Sequence, residues 1–186
     1  MAQLRLFVGY FLHSAELTVS YHRLYAEGAP LCSAKWVAPE QLHCTLKFLG
    51  EVHAELLPPL TEALAPWLGD VACPIRLTGL GTFPSPQAPR VLYIGVEDPT
   101  EGLRALHQRI QERLQLLGFP PEERPFTPHV TLARIRFVRH PASFRHYLRT
   151  HRGELFAEFK GFRLVLVHSQ LSPQGPLYSV LAPEEE

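Results

Sequence analysis

Two tetrapeptides stand out for what their side chains can do together: His43-Cys44-Thr45-Leu46 and His129-Val130-Thr131-Leu132. Three of their four positions agree, and a proline, Pro39 or Pro128, introduces each segment. With ten histidines in the chain, one His-x-Thr alone would read as a satisfied histidine beside a β-favouring threonine. A second copy in the same context makes coincidence the poorer explanation. Side chains alternate along a strand, so in each copy the imidazole and hydroxyl project together while the second and fourth residues turn to an apolar face. Four such groups meeting across a cleft suit a phosphodiester. One imidazole can serve as general base and the other, protonated, as general acid, because histidine titrates near neutral pH. The hydroxyls can donate to non-bridging phosphate oxygens as their charge grows in the transition state. The alternative is a metal held by His43 and His129, but no carboxylate stands at ligand spacing in either motif and no His-Glu-x-x-His helix is present, which makes metal binding the minor reading; no cofactor is expected.

The elements that must position these groups follow from periodicity and turn residues. Leu4 to Phe11 is predicted to be a central strand, and Ser14 an N-cap for a helix reaching about Glu27, ended by Gly28 and Pro30. Strands are predicted at Lys35 to Ala38 and Leu42 to Phe48, the second closed by Gly50. Between Ala54 and Leu68 a weak helical pattern is broken by Pro58, Pro59 and Pro66, so a short helix with turns at both ends is expected. Strands at Pro74 to Thr82 and Val91 to Val96 flank FPSPQAPR, a proline-rich exposed loop of the kind that can rim a site. Thr100 to Leu117 has the strongest helical pattern, with Thr100 as its expected cap. Then come a strand at His129 to Phe137, a short helix at Pro141 to Arg149, a long β segment from Leu155 to Leu171 bent at Gly161, and a last strand at Tyr178 to Leu181. The order describes an α+β protein of two related halves, with no linker between them.

Composition closes off other classes. Of 186 residues 46% are apolar and 19% charged, with 18 basic against 18 acidic, which fits a compact soluble protein and excludes a disordered chain or a polycation. No apolar run approaches the roughly 20 residues of a membrane-spanning helix, and Met1 to Phe11 shows no cleavage-like site, so a cytoplasmic protein is expected. Cys32, Cys44 and Cys73 match no zinc spacing and are read as reduced and mostly buried. From Arg124 to Gly153 there are seven arginines and no acid, a stretch that is either a solvated basic face or one that meets an anion.

The segments HCTLKFLGE and PHVTLARIR resemble the paired motifs of the two-histidine (2H) phosphoesterases. RLFVGYF, LTGLGTFPSPQAPRVLYIGV, LLGFPPEERPFTPHVTLAR and SQLSPQGPLYSVL extend the resemblance over nearly the whole chain, to the bacterial and archaeal RNA 2′,3′-cyclic phosphodiesterases, also called the LigT-like or 2′-5′ RNA ligase family. The resemblance implies one domain over residues 1–186, made of two intertwined related lobes in a bilobal, pseudo-two-fold α+β fold. Two antiparallel sheets form its concave cleft, with helices outside. It implies metal-independent opening of a terminal RNA 2′,3′-cyclic phosphate to a 2′-phosphomonoester, and in reverse a 2′-5′ ligation. By motif His129 is the base, His43 the acid, and Thr45 and Thr131 hold the phosphate, although near-symmetry lets acid and base exchange. Lys47 shares parity with His43 and Thr45 and either reaches the phosphate or is an exposed strand lysine. Arg134, in HVTLAR, is a phosphate ligand only if a bulge or its long side chain returns it to the cleft. Phe11, Phe126 and Tyr178 are candidates for base stacking, and parity makes Phe48 core. Arginines 136, 139, 145, 149 and 152 are candidates to guide an RNA backbone. The helix SAELTVSYHRLY lacks the family's usual charged style, which bears on packing. The expected partner is RNA with a cyclic phosphate end, acted on by a monomer with no membrane and no obligate protein partner. The alternatives are a phosphodiesterase for small cyclic nucleotides, 2′-5′ oligonucleotides or cyclic ADP-ribose phosphate, and an RNA-end binding module without turnover.

Overall fold

Strand β1 (Gln3–Phe11) is the first element of the computed structural model, which describes residues 1–185. Ser14 caps α1 (Ala15–Gly28) as its pattern predicts, its Oγ accepting from the Leu17 amide at 3.0 Å. The chain continues through β2 (Cys32–Trp36), a 3₁₀ turn over Pro39–Gln41, β3 (His43–His53), α2 (Leu57–Leu64), β4 (Gly69–Val71), β5 (Ile75–Phe83), β6 (Val91–Glu97), α3 (Gly102–Gln115), β7 (His129–Val138), α4 (Pro141–Thr150), β8 (Leu155–Phe159), β9 (Phe162–Ser172) and β10 (Gly175–Ala182).

Two antiparallel sheets follow from the pairing. One lobe runs β10-β9-β1-β3 with β4 beside β9, and the other β7-β6-β5-β8 with β2 beside β7. A single bridge, Cys44 on β3 opposite Val130 on β7, joins them into one continuous sheet. Helices cover one face. The helix that follows β1, α1, packs on β8 and α4 of the second lobe, where Ser20 Oγ donates to the Phe156 carbonyl at 3.0 Å. The helix that follows β6, α3, packs on β3 and α2 of the first. Each lobe is thus backed by a helix that grows from the other, and the shared core, including Leu46, Leu77, Ile94, Ile110 and Leu132, stays on the helical face. All three cysteines are free and buried. No helix among the described residues is long and apolar enough to cross a membrane.

Several expectations are corrected. Gly50 does not end β3: with φ of 74° it sits in a bulge, and the strand runs on to His53. The short helix expected between Ala54 and Leu68 is present as α2 with turns on both sides, but Pro58 and Pro59 do not break it: they stand in its first turn, where their missing N–H groups leave nothing unpaired. Thr100 is not the cap residue of α3. Glu101 takes that position with φ of 59°, and Asp98 Oδ2 accepts from the Arg104 amide at 2.8 Å. The long segment around Gly161 is two strands in two lobes, β8 on β5 and β9 on β1. Pairing at β4 spans only Gly69 to Val71, too short for periodicity to reveal.

Candidate active site

The β3–β7 bridge fixes the centre of the cleft. With Cys44 opposite Val130, antiparallel counting sets His43 across from Thr131 and Thr45 across from His129. The four polar groups therefore form a square, histidines on one diagonal and threonines on the other, on the face away from the helices. In a regular ladder such a diagonal spans roughly 7–8 Å between backbones, enough to seat a phosphorus between the imidazoles. A glycine stands beside each motif where the backbones are close-packed. Gly9 pairs with Thr45, where a Cβ would overlap the Cys44 carbonyl oxygen, and Gly95 pairs with His129, where a Cβ would lie 2.8 Å from the Thr78 carbonyl oxygen.

Both imidazoles are held in the same way. His43 Nδ1 lies 2.8 Å from the Gln41 carbonyl oxygen and His129 Nδ1 2.8 Å from that of Thr127, in each case two residues back. A carbonyl only accepts, so in both rings Nδ1 carries the proton and, in the neutral imidazole, Nε2 is the nitrogen with a free lone pair. Burial lowers both pKa values from 6.5 and outweighs the carbonyl bonds, which raise them; for His43 the partner imidazole of His129 lowers it further, and Arg134 lowers both. Aromatic rings supply that burial. Phe7, Tyr178 and Phe11 surround His43 with centroids at 5.0, 5.2 and 5.5 Å, and Phe83 and Tyr93 surround His129 at 4.9 and 5.3 Å.

A bulge at the fourth residue of each motif decides the roles of the side chains beyond it. Thr45 pairs with Gly9 and Lys47 with Val8, so Leu46 is the extra residue of β3; Thr131 pairs with Tyr93 and Ala133 with Leu92, so Leu132 is the extra residue of β7. Each extra residue reverses the strand parity. Arg134 is thereby returned to the cleft face, near enough to both histidines to add to the lowering of their pKa values and to Tyr178 to oppose the burial that raises its own. Lys47, by contrast, is turned away from the cleft and is neither a group facing it nor an exposed strand lysine, which corrects both of its expected placements. It is 3% exposed, its Nζ donates to the Pro120 carbonyl at 2.8 Å, and Glu122 lies 3.8 Å off. Phe48, expected in the core, is instead 47% exposed on the cleft side with the Arg5 guanidinium 4.8 Å above its ring.

The remaining candidates divide. Phe11 and Tyr178 stand in the wall around His43, beside Phe7, Val165 and Val167. Phe126 lies flat on His107 of α3 at 3.9 Å and lines the cleft with Phe48, Phe83, Arg90 and Arg124. The arginines share no one path: Arg139 donates to the Cys32 carbonyl at 3.0 Å, whereas Arg136 and Arg145 line a neighbouring pocket with Arg90. Phe7, Phe83, Tyr93 and Arg90 were missed from sequence. A signal existed for each: Phe7 and Phe11 share parity with Gly9, Tyr93 lies on the strand after the proline-rich loop, and Phe83 and Arg90 are that loop's ends. Among the described residues no group of three or more His, Cys, Asp or Glu side chains is arranged to hold a metal ion.

Comparison with known proteins agrees with this geometry. A family model described as the 2′-5′ RNA ligase superfamily matches residues 23–172. A protein of Aeropyrum pernix named RNA 2′,3′-cyclic phosphodiesterase is 36% identical over 154 residues, 83% of this chain and 85% of its own. One of the same name from Aquifex aeolicus is 31% identical over 183 residues, 97% and 96% of the two chains. The crystal structure of TT0787 of Thermus thermophilus superposes with a TM-score of 0.74 at 32% identity, covering 96% of this chain and 95% of that one. Escherichia coli LigT complexed with 3′-AMP shares the fold at a TM-score of 0.71 and 24% identity, covering 97% and 96%. The chain therefore belongs to the 2′-5′ RNA ligase superfamily of 2H phosphoesterases, the family its doubled His-x-Thr-Leu motif resembles.

Proposed function

We propose that this protein hydrolyses the 2′,3′-cyclic phosphate at an RNA end to a 2′-phosphomonoester, without a metal. The observation that carries this reading is the diagonal of imidazoles, each with Nδ1 tied to a carbonyl two residues back and Nε2 left for chemistry. His129, neutral because burial lowers its pKa, takes a proton from water through Nε2 as the water oxygen attacks phosphorus. The P–O3′ bond breaks, and His43, protonated on Nε2, gives its proton to O3′. The product is a 2′-phosphomonoester with a free 3′-hydroxyl, and the two histidines have exchanged protonation states. Solvent resets them. Thr45 and Thr131 donate to the non-bridging oxygens, and the Arg134 guanidinium faces the same charge. The negative charge of the bound phosphate favours the imidazolium of His43, offsetting the burial that disfavours it in the free enzyme. With a 5′-hydroxyl in place of water as the nucleophile, its proton going to His129 and O3′ again taking one from His43, the same groups join two RNA ends through a 2′-5′ linkage.

The names carried by relatives over more than four-fifths of the chain support this substrate. Incubating the protein with a short RNA ending in 2′,3′-cyclic phosphate, in excess EDTA, and separating 2′- from 3′-phosphate products tests it. A 2′-phosphate product that disappears in His43→Ala and His129→Ala is expected. A 3′-phosphate product, or turnover abolished by EDTA, would overturn the mechanism.

A further inference from the structure

Beside the cleft, past Arg134 on β7, lies a second pocket that the hydrolysis does not use. It sits between the proline-rich loop, the end of β7 and the first turn of α4, and three arginines line it: Arg90, Arg136 and Arg145. No acidic side chain lines it, and among the described residues none of the three arginines is in an ion pair. All three are exposed, and three like charges around one concavity set up a positive field that favours an anion there. The N-terminal turn of α4, entered at Pro141 with no side-chain cap, adds the positive end of a ten-residue helix. Phe137, 58% exposed, completes the lining with an aromatic face.

Arginines beside an exposed aromatic ring are the combination that holds single-stranded nucleic acid, phosphate by charge and base by stacking. The pocket is also continuous with the active site, because Arg90 lines both, and its carbonyl accepts from the Ile135 amide at 2.8 Å immediately after Arg134. At about 3.3 Å of rise per residue, Arg136 lies on the order of 20 Å along β7 from His129. That is further than one nucleotide spans.

We infer that this pocket is an upstream RNA subsite, in which Arg90, Arg136 and Arg145 hold a backbone phosphate a few nucleotides before the cyclic end while Phe137 stacks a base. The inference rests on the proposed RNA substrate and makes the protein a reader of chain length. A cyclic mononucleotide has no group that reaches the pocket, so oligonucleotides gain binding there and mononucleotides do not.

The test compares hydrolysis of a nucleoside 2′,3′-cyclic phosphate with that of cyclic-ended RNAs lengthened stepwise to about ten nucleotides. KM of the native protein falls as the RNA reaches the pocket. In Arg136→Gln/Arg145→Gln, KM for long RNA is expected to rise about tenfold, and its log–log salt dependence to shallow by about 0.7 for each phosphate no longer held. Mononucleotide kinetics stay within about twofold. Arg149→Gln/Arg152→Gln removes the same charge from the α4 region outside the pocket, and is expected to leave long-RNA KM within about twofold. Equal effects of the two double variants, or equal effects on long and single-nucleotide substrates, would overturn the subsite. Anisotropy of a labelled RNA ending in plain hydroxyls separates this outcome from failure of the proposed reaction. Such an RNA offers the histidines no phosphate, so weaker binding by Arg136→Gln/Arg145→Gln and by Phe137→Ala supports the pocket even if no cyclic end is cleaved. Unchanged binding refutes it.

Discussion

The two copies of the motif match at three of four residues, share one geometry up to the leucine, and then diverge. Each begins with an imidazole whose Nδ1 donates to the carbonyl two residues back, each continues with a threonine on the same face, and each carries a bulge at its leucine. After the bulge the cleft face carries Phe48 in the first copy and Arg134 in the second, while the helical side receives Lys47 in the first and Ala133 in the second. The walls differ too: three rings enclose His43 and two stand by His129. In the proposed mechanism, two equal histidines allow acid and base to exchange. The proposed direction follows from the unequal surroundings, because Arg134 and the neighbouring basic pocket both belong to the His129 lobe.

The largest effects fall where the copies agree. His43→Ala and His129→Ala are each expected to lower kcat by about 10²–10⁴ with an unchanged circular dichroism spectrum, since acid–base groups contribute that much. A large loss in only one of them would break the equivalence. Arg134→Gln comes next, expected to lower kcat/KM by about 10- to 100-fold through the absence of one charge-assisted hydrogen bond, while Lys47→Met stays within about threefold. Similar losses in the two would show that the bulges do not separate them. Gly9→Ala is expected to lower stability by about 1–3 kcal/mol in denaturant titrations, because its Cβ meets the Cys44 carbonyl under the first motif. Gly95→Ala, with more room against Thr78, loses less.

The mildest effects concern pH. Both imidazoles sit below 6.5 in the free enzyme, so the bell of kcat/KM is expected to peak on the acid side of pH 6.5; that of kcat peaks higher, because bound phosphate favours the protonated acid. Folding obeys the same shifts. Burial holds His43, His129 and His107 below their unfolded values, so between those values the unfolded chain binds more protons. Stability is therefore full above about pH 6.5 and declines as pH falls from there toward the folded values. Denaturation at about pH 7.5 and about pH 5.5 measures it, and His129→Gln reduces the difference.

The four central groups were legible because strand alternation and a repeat point to the same residues. Ser14 was legible because a cap acts over three residues. The features that stayed hidden depend on partners far along the chain. The bulges at Leu46 and Leu132 carry neither glycine nor proline, so nothing local marks them, and parity misplaced Lys47 and Phe48. One trace was present: Ala133 holds the place of Lys47 in the second copy, and a small apolar residue there fits the helical face better than the cleft. The division of Leu155 to Leu171 between two lobes was equally invisible, since β8 and β9 satisfy the same pattern and differ only in which strand each pairs with. The arginine-rich stretch was correctly seen as basic, yet its arginines separate only in space, Arg139 toward Cys32 and Arg136 and Arg145 toward Arg90.

The division of labour between two matching histidines is tested most directly by replacing the leaving O3′ with sulfur in the cyclic phosphate. A thiolate departs without a proton, so the acid becomes dispensable while the base does not. His43→Ala is expected to recover most of the native rate on this substrate, and His129→Ala to remain as impaired as on the oxygen substrate. Recovery by His129→Ala, or by neither variant, would contradict the assignment.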